Sequence, residues 1–498
     1  MKINKIIAGI MAVCLMGTVI PSVNTVAENN SVITASAEDE TDYTEGTYEN
    51  LAYKNYSDYI EISGCDVSAT DVVIPPEIDG VPVTSIGEYA FYDCKSLISI
   101  TIPDRITNIG GSAFFCTPWL EEKQKENSLV IVNDILIDGS TCSGDIIIPD
   151  SVTSISNFAF GGCTELTSVI ISDSVTSIGS NAFYYCKSLT SIIIPDSVTS
   201  IGNFAFGACT NLTSITIPDS VTSIGEYALY DTPWFKGKQQ ENPLVIVNDI
   251  LIDGSTCSGN IIIPDIIKSI SNFAFGSCTE LTSIIIPDSV ESIGIGVFSE
   301  CTGLTSVIIP DSVAIIDEMA FSECTSLTSI TIPDSVTTIG CTAFYGCKNL
   351  ESVTIPNNVI SIVTGAFCNC ENLTSITILN PDCEIADDES TISNGWDKKN
   401  NNYFNGTIYG YENSTAQAYA ESNFCKFESL GKAPEKVMGD INDDGEFNVA
   451  DVVLLNKYLL GISDMAFSNL KNADLCADGR LDVFDLCMMK KKLVEDLI

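Results

Sequence analysis

The chain has 498 residues, 66 acidic against 23 basic, for a formal net charge of −43. Such a surface repels phosphate backbones, which excludes nucleic-acid binding, and it favours solubility and cations. There is no histidine, which removes imidazole acid–base chemistry, histidine triads and histidine metal sites.

Lys2 and Lys5 precede the apolar run Ile6–Ile20, and small residues follow. This order predicts a secretory leader over residues 1–27, cleaved after Ala27 or as late as Ala37. Val13 before Cys14 argues against a lipid anchor. No later apolar run reaches 18 residues, so no transmembrane segment is expected. No sorting signal ends the chain, so any surface attachment is expected from another module. An acidic tract, residues 38–46, is expected to stay unstructured. Residues 47–85 hold Tyr53, Tyr56, Tyr59, Ile60 and Ile62, then Val72-Val73-Ile74. They read as a strand-rich cap over the open end of a repeat array.

Residues 86–378 repeat every 23 residues, most cleanly in LTSIIIPDSVTSIGNFAFGACTN, Leu189–Asn211. Ile86, Ile109, Ile155, Ile178, Ile201, Ile224, Ile270, Ile293, Ile316, Ile339 and Ile362 lie 23 or 46 residues apart, with Val132 and Val247 in the two gaps. That makes thirteen coils, and a fixed period of this length marks a solenoid. Leu189, Ile192 and Ile194 face inward from an extended segment. Pro195 ends the strand and Asp196-Ser197 turns the chain. Val198 and Ile201 point inward again, Gly202 permits a bend, and Phe206 and Cys209 close the coil. Stacked strands in one parallel sheet at about 4.8 Å spacing give an arc roughly 60 Å long. The recurring Asp196, Asp219, Asp288, Asp311 and Asp334 are turn residues, not paired catalytic carboxylates.

The stretch IPDSVTSIGNFAFGACTNLTSI resembles the 23-residue leucine-rich repeats of bacterial surface proteins. The resemblance implies an α/β repeat fold, a solenoid with a parallel sheet. It also implies extracellular, non-catalytic binding of proteins, host matrix or other cells. Solenoids of this kind often bind through the open strand face. Here that face carries Ser191 and Ile193, Ser214 and Thr216, and their equivalents, a carpet of small polar and β-branched residues.

Cys94, Cys163, Cys186, Cys209, Cys278, Cys301, Cys324, Cys347 and Cys370 fall eight residues after their anchors. Thr117, Ser140, Thr232 and Ser255 take that rung elsewhere. A rung accepting Cys, Thr or Ser suits a buried thiol ladder better than disulfides, and surviving export unoxidised points to an anaerobic setting. Two coils depart together: Thr117-Pro118-Trp119 leads into LEEKQKEN, and Thr232-Pro233-Trp234 into FKGKQQEN, 115 residues later. Lys123 and Lys238 stand where an inward strand residue belongs, so a polar, helical excursion is expected. Trp119 and Trp234 are expected to plug the gap rather than serve as exposed platforms.

From Leu379 the repeat decays. Residues 379–431 read as an end cap, with a helix over Ala416–Glu421 capped by Ser414 or Thr415. Residues 432–436 form a short linker. From Asp440 the chain reads DINDDGEFNVAD. Asp440, Asn442, Asp444, Asn448 and Asp451 have calcium-loop spacing, Gly445 allows the sharp turn, and Glu446 offers its backbone carbonyl. A helix over Val449–Leu460 should follow, ended by Gly461. The pattern returns at Asp474 with Asp478, Asp482 and Asp485, Arg480 at the carbonyl position, and a second helix over Val483–Asp496. Cys476 replaces an oxygen donor there, so two Ca2+ sites are expected, the second weaker.

These two loop–helix units, residues 437–498, resemble a type I dockerin, a small all-α calcium-binding module. The resemblance implies docking to a cohesin domain of a scaffoldin in a cellulosome-type complex. It places Val449, Ala450, Asn456 and Lys457 of the first unit, and Val483, Phe484, Lys490 and Lys491 of the second, against cohesin. The chain is therefore expected to be a secreted, non-catalytic subunit presenting its repeats for protein or polysaccharide recognition. Two alternatives stand beside it: an enzyme component for polysaccharide breakdown, and an adhesin anchored by its dockerin.

Overall fold

A computed structural model describes residues 43–397, 401–434, 437–441, 446–460, 473–476 and 481–495. The expected leader lies outside the described residues, as do most of the acidic tract and the end of the linker. The last acidic-tract residues are not unstructured. They belong to strand Thr44–Tyr48, which pairs antiparallel with Leu51–Asn55. Aromatic contact supplies the reason: Tyr43 meets the Tyr56 ring at 5.4 Å, and Lys54 sits 4.5 Å over Tyr43. Ile60–Cys65 then turns the pairing parallel, against Val81–Ile86. Fully buried Ile60 and Ile62 cover the first coil.

Regular coils contribute two short parallel strands on two faces, reduced at Ser329 to a single bridge on one of them, rather than one strand to a single sheet. Ser191–Ile193 pairs with Ser214–Thr216, while Ser200–Ile201 pairs with Ser223–Ile224. The anchors stay in register, Ile155 to Ile178 to Ile201 to Ile224. Between the faces, Val198 N–H donates to the Pro195 carbonyl at 3.1 Å, closing the turn that proline begins. Val198, Ile201, Phe206, Cys209 and Leu212 are all buried. Gly202 is required for stacking, not for a bend. A Cβ there would strike the Ser180 amide of the preceding coil.

The third side of the coil carries backbone that the repeat did not reveal. Phe204 and Ala208 adopt φ of 52° and 57°. With Phe204 and Ala208 left-handed and Phe206 not, all three send their amides to the next coil, reaching Glu226, Ala228 and Tyr230 carbonyls at 2.7–2.8 Å. Fully buried phenylalanines stack beneath, Phe183 on Phe206 at 5.3 Å and Phe344 on Phe367 at 5.1 Å.

The two irregular coils contain helices α1 (Pro118–Glu126) and α2 (Pro233–Glu241). Thr117 and Thr232 cap them, accepting from Leu120 and Phe235 amides at 3.1 Å. Trp119 is buried against Phe114 at 4.6 Å, and half-buried Trp234 packs on the core, so both fill the gap left by the missing strand. The chain returns through a hairpin. Val130–Val132 pairs antiparallel with Ile135–Asp138, and Val245–Val247 with Ile250–Asp253. This corrects the anchor positions. Leu136 and Leu251 pair with Ile155 and Ile270, whereas Val132 and Val247 lie on the outer arm. The hairpin turn absorbs the shift, with Asn133 and Asp134 at φ 48° and 62°. Asn133 Nδ2 also donates to the Pro103 and Ile106 carbonyls.

The corrected register changes the thiol rung. Buried Cys142 and Cys257, not Ser140 and Ser255, join the ladder, as does Cys65 beside Cys94. The described cysteines are free thiols. Cys186, Cys209, Cys301, Cys324, Cys347 and Cys370 each donate to the phenylalanine carbonyl 26 residues earlier, at 3.0–3.3 Å. Burial pushes the Cys324 and Cys347 thiols well above their ordinary range.

The core of the capped repeat array falls into three clusters, 51–135, 136–250 and 251–420, which meet at the helix-bearing coils. Pairing outlasts the sequence pattern beyond Leu379. Glu384–Ile385 continues the anchor ladder, and Thr407–Gly410 and Lys426–Ser429 extend the other face. Helix α3 (Thr415–Ser422) covers this end, with Ser414 as its cap.

Candidate metal centre and docking face

Past the repeats, helices α4 (Val449–Leu459) and α5 (Val483–Glu495) pack on each other. Their apolar positions match at 34 residues: Ile441 with Leu475, Val452 with Leu486, Leu455 with Met489. Lys492 ties the module's ends together, reaching the Met438 carbonyl and standing 5.0 Å over the Phe447 ring.

The loop residues preceding each helix are arranged alike. Asn448 caps α4, its Oδ1 accepting from the Ala450 amide at 2.8 Å, and Asp482 Oδ1 accepts from Phe484. Asp451 and Asp485 are fully buried. Asp451 accepts from the Ile441 amide at 2.9 Å and the Asn448 amide at 2.8 Å. Asp485 accepts from the Cys476 and Asp482 amides at 3.1 and 3.0 Å. Burial pushes the Asp485 carboxyl up, but these amides outweigh it and hold it below its ordinary range. The last acid of each loop therefore fastens the loop's start to the helix. The spacing offered Asp451 and Asp485 only as expected ligand positions and did not reveal these bonds. Asp-to-helix capping signals at Asn448 and Asp482 could have suggested them.

Buried Asp440 and half-buried Asp474 open the two loops. Asn442, Asp444, Gly445, Gly461, Asp478 and Arg480 lie outside the described residues, and Glu446 is exposed. Among the described residues, one carboxylate–thiol group converges within 4.8 Å: Asp474, Cys476 and Asp485. Val449, Ala450 and Lys457 of α4 are exposed, with Asn456 half-buried, and Val483, Phe484, Lys490 and Lys491 of α5 are exposed. Phe484 is 72 % exposed, large for an aromatic side chain with no function on that surface.

On the repeats, the strand face is more apolar than its sequence suggested. Ile147, Ile170 and Ile193 lie side by side on neighbouring strands, and Ile262, Ile285 and Ile308 repeat the row 115 residues on. Ile193 is 70 % exposed. The helices α1 and α2 interrupt this face.

Residues 65–135, 138–238 and 254–374, more than half the chain, match the BspA type leucine rich repeat region, in 6 copies. The chain belongs to the BspA-type leucine-rich-repeat family. Residues 438–494 match the type I dockerin domain, so this family member carries a C-terminal dockerin. No curated protein matches it. Solved structures similar to this chain include three from bacteria. A leucine rich cell surface protein from Faecalibacterium prausnitzii A2-165 is 28 % identical, covering 70 % of this chain and 96 % of that one, TM-score 0.34. A leucine-rich repeat protein from Bacteroides ovatus ATCC 8483 is 24 % identical, covering 79 % and 100 %, TM-score 0.34. The pneumococcal vaccine antigen PcpA is 17 % identical, covering 79 % and 99 %, TM-score 0.36.

Both modules of this BspA-type chain are non-catalytic in kind. Type I dockerins bind calcium and dock to cohesins, and leucine-rich repeats present recognition surfaces. Among the described residues, no helix is long and apolar enough to cross a membrane. The donor chemistry divides the two loops. Asp440, Asn448 and Asp451 offer the hard oxygens calcium requires, whereas Cys476 places sulfur beside the oxygens of Asp474 and Asp485.

Proposed function

We propose that this chain is a secreted, non-catalytic subunit that docks through calcium-dependent pairing with a scaffoldin cohesin and presents its repeats for protein or polysaccharide recognition. The paired loop–helix units carry the reading: two buried aspartates, Asp451 and Asp485, hold two loops against two helices whose outer faces are exposed. In the first loop, Asp440, Asn442, Asp444, Asn448 and Asp451 would hold Ca2+ with the Glu446 carbonyl. In the second, Asp474, Asp478, Asp482, Asp485 and the Arg480 carbonyl are the corresponding oxygens. Calcium would supply the fixed positive charge around which the first loop closes. The protein's part is to convert that closure into a set pose for the helices. Val449, Ala450, Asn456 and Lys457, with Val483, Phe484, Lys490 and Lys491, form the cohesin-facing surface.

The isoleucine rows of the open face are the recognition surface of the repeats. Their spacing by five coils suits a ligand that itself repeats. Location follows from partner: a scaffoldin holds the subunit outside the cell. The full chain, immobilised by a tag, is probed with cohesins of several types, plant polysaccharides and matrix proteins, each in calcium and in chelator. Cohesin capture in calcium alone supports the reading. Release of soluble sugar from any polysaccharide would replace it with the enzyme alternative.

A further inference from the structure

The two loops are not two copies of one site. At its third position the first loop has Asn442, an oxygen donor, and the second has Cys476. Cys476 Sγ lies 3.5 Å from Asp474 Oδ1, and both fall within 4.8 Å of a carboxylate oxygen of fully buried Asp485. Calcium seeks roughly 6–8 oxygens and gains little from sulfur, whereas zinc-class ions favour a thiolate joined by carboxylates at lower coordination number. An open hollow of about 420 Å³ adjoins the group, lined by Cys476, Phe484, Cys487, Met488 and Lys491. It gives a cation an entry path from solvent, and it brings a second thiol, exposed Cys487, to the same rim.

We propose that the second loop is a site for a thiophilic divalent cation of the zinc class, with Cys476 as a thiolate ligand beside the Asp474 and Asp485 carboxylates. The proposal rests on reading both units as cation loops, and it makes the dockerin a mixed-metal module. On binding, the Cys476 S–H proton passes to water and a sulfur–metal bond forms in its place; no electrons change hands. The thiols of the repeat ladder do not compete on equal terms, being buried and bonded to backbone carbonyls; exposed Cys116 is the thiol that Cys476→Ser controls for.

Cobalt(II), a coloured stand-in for zinc, is titrated into the reduced full chain with calcium present. The expected result is a thiolate-to-cobalt absorption band at one equivalent, unmoved by excess calcium and bleached by zinc. Cys476→Ser should weaken this binding on the order of 10–100-fold. Cys476→Asp should abolish the band and give the loop calcium affinity close to that of the first. A missing band, a band that survives in Cys476→Ser, or displacement by stoichiometric calcium overturns the proposal. Calorimetry with calcium alone reads the first loop separately. A wild-type chain that takes up no calcium at all would remove the cation-loop reading itself, and the proposal with it.

Discussion

Thr232 shows how one side chain reconciles two demands. It is fully buried on the rung that cysteine occupies in most coils. Its hydroxyl donates to the Leu229 carbonyl at 2.8 Å and accepts from the Phe235 amide at 3.1 Å. A thiol is too weak an acceptor to cap a helix, so the ladder gives way to threonine where α1 and α2 begin. Thr232→Val keeps the shape and loses both bonds. We expect a cost of about 2 kcal/mol, read by chemical denaturation of the full chain. Glu226 supplies a second residue-scale test. It ends the corner ladder just before α2, and burial pushes its carboxyl up to about 7. A raised folded-state value means this group's contribution is whole below the ordinary carboxylate range and is lost as pH climbs through about 7. Glu226→Gln should therefore match wild type near pH 5 and surpass it near pH 8, as followed by thermal midpoint. A difference independent of pH would show that Glu226 is solvated.

At the scale of elements, the coil is legible where its side chains repeat and illegible where its backbone does the work. Leu189, Ile192, Val198 and Phe206 announce a stacked core, because burial selects apolar residues at fixed spacing. The left-handed residues Phe204 and Ala208 announce nothing, since the side chains there vary from coil to coil: Asn181 and Tyr185, Met319 and Glu323. The same contrast explains the misplaced anchors. Val132 and Val247 kept the count, yet the Asn-Asp pair after each was a hairpin signal, and the hairpin moved the rung to Leu136 and Leu251. In the dockerin, the two loop–helix units were legible, while the bonds that Asp451 and Asp485 make to loop amides depend on folding. Phe206→Ala tests the stack. It should cost roughly 3–5 kcal/mol, felt mainly within the cluster of residues 136–250. Hydrogen exchange should quicken there while residues 251–420 keep their protection. Uniform quickening would mean that α1 and α2 do not divide the array into cooperative blocks.

Across the whole molecule, the array and the dockerin divide the labour. The repeats supply area: two isoleucine rows in a −43 chain, suited to a ligand that is uncharged or basic rather than to a second copy. Under the proposed function the dockerin supplies attachment, and its loops need a cation before its helices hold one pose. Loop closure, helix placement and docking should then respond together to calcium. The most direct measurement is calorimetric titration of a type I cohesin into the full chain, first in calcium, then in excess chelator, then after calcium is restored. One-to-one binding that vanishes in chelator and returns with calcium is expected, while the far-ultraviolet signal of the repeats stays constant. Binding of equal strength in chelator, or none to any cohesin by a calcium-loaded folded chain, would contradict calcium-dependent docking.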